Sequence, residues 1–255
     1  MRRVKALSYD DEVSLVDHLD ELRARIVVSL SVLGVAFALC LWQNHLLLEL
    51  ANGPLPSAHS KLLTLGISEP FTTTMTVAAY GAFLLSLPII LYQAYAYLLP
   101  ALSHQQRRTV TPLLLLVPIL FITGVVFGYV VVLPAATKFL LNFNDSQFNV
   151  QVRARDYYSF FSTTMLAGGV IFQLPLAILA VTRLGIVRVD QITANRRYAY
   201  LVIAVIAAAL PGVDPVSMVI EMVPLLVLFE LSIFLAKLFV RRGRKGNVAE
   251  PTTQE

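Results

Sequence analysis

The segment SLVDHLDELRARI, Ser14–Ile26, runs directly into the apolar stretch Ile26–Leu46. Leu15, Leu19, Leu22 and Ile26 recur at spacings of four, three and four, the interval that stacks side chains along one face of a helix. Ser14 followed three residues later by Asp17 reads as a capping-box start, in which hydroxyl and carboxylate each take an otherwise orphaned backbone N–H. The expectation is an amphipathic helix continuous with a helix that has no polar face. A chain shows such a junction where it passes from water into a bilayer.

Composition agrees. The 255 residues are 57% hydrophobic and 14% charged, with a mean hydropathy of +0.71, too apolar for a soluble domain. Six stretches qualify as spans: Ile26–Leu46, Phe71–Tyr97, Pro112–Leu133, Ser159–Thr182, Tyr198–Leu210 and Val216–Val240. The expected fold is an all-α integral membrane protein of six transmembrane helices, with helices five and six short and ordered outside loops forming a cap over a concave face. A helix of about twenty residues crosses a bilayer, so the fifth stretch is too short unaided. The first apolar run follows about 25 polar residues and exceeds a secretory h-region, so the first helix is expected to be retained.

Sixteen of the twenty Lys and Arg residues fall in the segments that are cytoplasmic if the N-terminus is inside. That bias predicts both termini in the cytoplasm. It divides the chain into a cytoplasmic N-terminus (1–25) with the amphipathic helix, a membrane domain (26–240) and a basic tail (241–255) held near anionic lipid. The positive charge is spread over four segments without interleaved aromatics, which argues against nucleic acid as a partner. Cys40 stands alone within a span and reads as an apolar packer.

The loops and breaks carry further expectations. Pro54 sets a turn early in the first outside loop, and Ser68-Glu69-Pro70 closes that loop before Phe71 starts the second span. Pro88 is expected to bend that span. The third span is expected to start at Pro112 and kink at Pro118, the second outside loop to begin at Pro134, and Asp156 to cap the fourth helix. Asp214 before Pro215 reads as a cap and first-turn proline for the sixth helix. The turn ahead of it should sink below the outer surface and thin the bilayer locally, because a short helix must relieve the mismatch somehow.

Several polar side chains are functional candidates. Asp17 and Glu21 form a like-charge pair one helical turn apart, which attracts cations. Glu21 is either satisfied by Arg25 and Asp20 by Arg23, leaving a solvated surface helix, or Glu21 docks a cationic partner. Gln173, beside Pro175 in the fourth span, needs an interhelical hydrogen bond or a cavity. Glu221 and Glu230 are intramembrane carboxylates and candidates by default. They lie about two and a half turns apart, so they point to opposite faces and form no acid/base pair.

The runs DHLDELRARI, SEPFTTTM, LYQAYAYLLPAL with its trailing QRR, and FQLP together resemble the TatC family of twin-arginine translocase subunits. The resemblance covers nearly the whole chain. It implies a receptor for Arg-Arg signal peptides of folded cargo in a bacterial inner membrane, assembled with TatA- and TatB-type single-span partners and with further copies of itself, and driven by the proton gradient. It implies no cofactor and no catalysis. It places Glu21, with Arg23 in the same motif and an aromatic matching Tyr97 beside it, at the signal-peptide site, and sets Gln173 on a concave working face. Guanidinium selection over lysine follows from bidentate, charge-assisted bonding to carboxylate. The family commonly carries a second glutamate where this sequence has Gln106, so Asp17 or Asp20 is expected to supply the second negative charge.

Two other classes fit less well. A secondary transporter should show internal repeats or paired broken helices, and an intramembrane enzyme should show a metal or nucleophile motif. His18, His45, His59 and His104 are scattered.

Overall fold

The computed structural model describes residues 15–56, 62–98, 114–144, 146–148, 150–183, 186–209 and 215–246. These residues form helices: α1 (Leu15–Trp42), α2 (Asn44–Asn52), α3 (Glu69–Leu98), α4 (Leu116–Phe127), α5 (Leu133–Asn142), α6 (Ala154–Ile171), α7 (Leu174–Arg183), α8 (Val189–Ala194), α9 (Arg196–Ala209) and α10 (Pro215–Gly246). Five segments are long and apolar enough to cross a membrane: His18–Trp42, Glu69–Tyr97, Leu116–Asn142, Ala154–Thr182 and Met218–Lys237. Helix α9 has 14 residues, about 21 Å of helix against roughly 30 Å of hydrocarbon. It is not among those five, and it is short, as its sequence suggests. The sixth helix is not short: α10 has 32 residues and carries Pro224 inside it.

The prolines behave differently from expectation in several places. Pro118 lies in the first turn of α4, where its missing N–H would be unbonded anyway, so it does not kink the span. The irregularity falls instead at a π-helical turn, Gly128–Val132, followed by Pro134 at the start of α5. The helix therefore continues through Pro134 to Asn142, and the second outside loop starts later than expected. Pro88 is accommodated within a continuous α3. Pro175 does break its span, since it offers no N–H to the carbonyl of Ile171 and α6 gives way to α7 across Phe172 and Gln173. Asp156 sits in the first turn of α6 rather than capping it, and the capping position is Arg153. The capping box at Ser14 and Asp17, the start at Pro112 and the cap at Asp214 lie outside the described residues and side chains.

Between α4 and α6 the backbones nearly touch. A Cβ on Gly124 would lie 2.3 Å from the carbonyl oxygen of Gly168, and one on Gly168 would lie 2.7 Å from that of Gly124. A Cβ on Gly169 would run into the ring of Phe121 at 2.4 Å. Hydrocarbon gives no hydrophobic drive for helix association, so small residues that let backbones approach set the crossing.

At one end of the bundle α2 lies across the helix termini. Its last carbonyls have no partner within the helix, and tyrosines supply one. Tyr129 donates its hydroxyl to Leu50 O at 2.9 Å, Tyr157 to Ala51 O at 2.5 Å, and Tyr158 to Asn52 Oδ1 at 3.1 Å. Gly53 leaves room for this, since a Cβ there would sit 2.4 Å from the Tyr129 hydroxyl oxygen. Pro54 continues the turn, and its carbonyl lies 3.5 Å from the Thr137 hydroxyl. The two loops at this end are stitched as a parallel bridge, Leu63 N to Val152 O at 2.9 Å and Ala154 N to Leu63 O at 2.8 Å. Beside the bridge Glu69, only 6% exposed, accepts from Arg153 Nε at 2.8 Å and from the backbone N–H groups of Leu65 and Gly66. The carboxylate holds the Arg153 guanidinium pKa above its ordinary value. Pro70 and Phe71 follow in the first turn of α3, with Phe71 exposed.

The crossing generates a paired prediction. Gly124→Val should lower the thermal midpoint in detergent by roughly 5 °C or more, from about 1–3 kcal/mol of overpacking. Gly34→Ala should leave it unchanged, because a Cβ there meets nothing within 4 Å.

Candidate functional site

At the bundle end opposite α2, the first turns of α1 meet the last turns of α3. His18, Glu21 and Arg25 are three and four residues apart on α1, and Gln93 and Tyr97 are four apart on α3, so each set lies on one face. The faces are opposed. Arg25 donates Nε to Glu21 Oε1 at 3.0 Å and a terminal nitrogen to Gln93 Oε1 at 2.8 Å, tying α1 to α3. Tyr97 stacks on His18 with ring centroids 4.3 Å apart and planes 12° off parallel. His18 Nδ1 lies 4.0 Å from Glu21 Oε2.

The Glu21–Arg25 pair of the solvated-helix reading is therefore present. It is not deeply buried: the side chains are 30% and 24% exposed, the regime in which an ion pair contributes about 0–1 kcal/mol. Asp20 and Arg23 are exposed, and no ion pair joins them. The side chain of Asp17 and all of Gln106 lie outside the description.

A groove leads away from this cluster along α1 and α3. Its first part, about 560 Å³, has Arg25, Gln93 and Tyr97 at its head and Leu30, Leu33 and Phe83 further in. A second part, about 360 Å³, shares those three residues and continues to Phe37. From Arg25 to Phe37 is about 18 Å of helix, and beyond the head the walls are apolar except for Ser29, whose hydroxyl is bonded to Arg25 O.

The other candidates take up separate places. Gln173 is 7% exposed and donates Nε2 to Val117 O at 3.2 Å, so it is turned into the α4 packing rather than onto an open concave face. Glu221, also 7% exposed, borders a small void with Gly128, Thr164 and Phe172. Glu230 accepts the Tyr200 hydroxyl at 2.5 Å and lies 3.2 Å from Arg196, joining α10 to α9. The two carboxylates of α10 thus serve different neighbours. Asp214 is outside the described residues, and Pro175 acts through the α6–α7 break.

Two members of the cluster, Gln93 and His18, were not singled out from sequence. The available signal was a lone amide in LYQAYAY four residues before Tyr97, which helical spacing puts on the face of that tyrosine.

The family model described as "Sec-independent protein translocase protein (TatC)" matches residues 17–224. The chain belongs to the TatC family. A TatC from Carboxydothermus hydrogenoformans is 31% identical over 229 residues, covering 89% of this chain and 94% of that one. The chloroplastic TATC of Pisum sativum is 34% identical over 90% of this chain and 65% of its own length. A crystal structure titled "Twin Arginine Translocase Receptor- TatC" superposes with a TM-score of 0.75 at 31% identity, over 87% of this chain and 98% of that one. As a TatC family member, the protein is a multi-pass component of the Sec-independent, twin-arginine protein translocase.

The two glutamate–arginine pairs should respond differently to mutation. Glu21→Gln is expected to change stability by less than about 1 kcal/mol. Arg153→Gln should lower the midpoint clearly, because it leaves the buried Glu69 carboxylate without its counter-charge. Thermal unfolding of both variants in one detergent checks the contrast.

Proposed function

We propose that this TatC protein receives the Arg-Arg signal peptides of folded cargo at the Glu21 end of the bundle, which the positive-inside bias assigns to the cytoplasm with both termini. The observation that carries the proposal is the position of Glu21: an accessible carboxylate at the head of an apolar groove about 18 Å long. A signal peptide has cations followed by an apolar core of 7–15 residues, about 10–22 Å as helix. The first matches the head of the groove and the second its walls.

In this reading an incoming guanidinium takes over Glu21 from Arg25, with Tyr97 and His18 forming an aromatic wall beside it. Asp17, Asp20, Arg23 and Gln106 tune the local charge. Gln173, Asp214, Glu221 and Glu230 belong to the surfaces where TatA- and TatB-type partners and further copies assemble, and a proton gradient across a bacterial inner membrane drives export.

Binding of an Arg-Arg signal peptide and its Lys-Lys variant to the purified protein and to Glu21→Ala tests the arginine site. Either change should weaken binding about 10- to 100-fold, the worth of a charged hydrogen bond. Equal affinity in all four combinations would remove Glu21 from the site. Gly34→Trp should fill the groove floor and weaken both peptides while preserving their ratio.

A further inference from the structure

Near the α2 end, between α3 and α6, lies a cavity of about 400 Å³ whose walls are almost entirely hydroxylic. Helix α3 contributes Thr72, Thr73, Thr76 and Tyr80, and α6 contributes Arg155 and Ser159. We propose that this cavity is a site for the headgroup of an anionic, hydroxyl-bearing phospholipid of the leaflet that meets the α2 end.

Four observations carry the assignment. Thr73, one of the lining residues, is 6% exposed, and its buried hydroxyl has no hydrogen-bond partner. A buried hydroxyl left unpaired is disfavoured, so a ligand atom here gains more than at a solvated surface. Second, the threonines flanking it have spent their protons. Thr72 donates to Ser68 O and Glu69 O, and Thr76 donates to Thr72 O at 2.8 Å. Their oxygens therefore present lone pairs to the cavity and call for a donor, such as a glycerol hydroxyl.

Third, Arg155 is the one charged residue among the described lining. It is exposed, and no described carboxylate is ion-paired with it. Glu69 is committed to Arg153, and Asp156, though next in sequence, does not line the cavity. A guanidinium binds phosphate bidentately. Fourth, the surrounding surface is that of a protein in lipid. Leu65, Ile67 and Phe71, adjoining Ser68 and Thr72 in sequence, are 74%, 105% and 66% exposed. From Thr72 to Tyr80 the lining descends about 12 Å along α3, so the cavity opens where a headgroup can enter sideways while its acyl chains stay in the bilayer.

Native mass spectrometry of the detergent-solubilised protein, titrated with phosphatidylglycerol, phosphatidylcholine, or inorganic phosphate, tests the site. Phosphatidylglycerol should bind at least about tenfold more tightly than phosphatidylcholine, which has the phosphate but neither the net charge nor the hydroxyls. Arg155→Gln and Thr73→Val should each reduce that preference, and Thr73→Ser should restore it without altering the thermal midpoint. Equal binding of the two lipids, or a preference untouched by both Arg155→Gln and Thr73→Val, would overturn the proposal. Saturable binding of phosphate alone at the affinity of phosphatidylglycerol would overturn the lipid assignment and leave a free-anion site.

Discussion

Glu69 holds together the end of the molecule on which the other elements are hung. Its carboxylate is withdrawn from solvent and answered on both oxygens, by the Arg153 guanidinium and by the N–H groups of Leu65 and Gly66. A charge taken out of water is tolerated only when paired and fully hydrogen-bonded. Because the partners come from two loops distant in sequence, satisfying one carboxylate fixes the first turn of α3 beside that of α6. The Leu63–Arg153 bridge, the tyrosines over α2 and the hydroxylic cavity between α3 and α6 all follow from that juxtaposition.

Within the spans the constraint is the absence of water. Backbone groups freed by a proline or by a helix end must find partners inside the protein, and the departures from ideal helix show how. The carbonyls ending α2 are taken by Tyr129 and Tyr157. Beside the Pro175 break, the buried side-chain amide of Gln173 is answered in the same way, donating to Val117 O across on α4. That reach is short because Gly124 and Gly168 let α4 and α6 approach to backbone contact. The amide of Gln173 is thus a product of the same crossing that the glycines permit.

The helical, multi-pass character was legible because a run of apolar residues in a bilayer has one low-energy conformation, and the shortness of the fifth apolar stretch was legible by arithmetic on its length. Proline was where sequence reasoning failed. Pro118 and Pro134 look alike as breakers, yet one falls where no hydrogen bond is lost and the other beside a π turn that absorbs it. Register, not residue type, decides between these outcomes. The Glu21 site was half legible. Glu21 and Tyr97 could be named from their motifs, whereas Gln93 and His18 acquire meaning only once α1 and α3 are packed.

The two glutamate–arginine pairs show how burial sets the use of one chemistry. Glu69 and Arg153 are joined where the carboxylate has lost its water and backbone donors complete its shell, so separating them strands a buried charge and the pair acts as a permanent fastening. Glu21 and Arg25 face each other at about a quarter to a third exposure. Water can solvate either partner there, and His18 Nδ1 lies 4.0 Å from Glu21 Oε2. Replacing one guanidinium by another at such a carboxylate exchanges like for like, with little change in solvation. Arg25 can fall back on Gln93 Oε1, which it already contacts. On the proposed reading, the site would stay satisfied by the protein's own arginine when empty of ligand, and would yield at little cost to a second arginine that brings an apolar segment with it. The apolar contact along α1 and α3 then supplies what the exchange itself does not, so affinity in such a site comes from the groove and selectivity for arginine from the carboxylate.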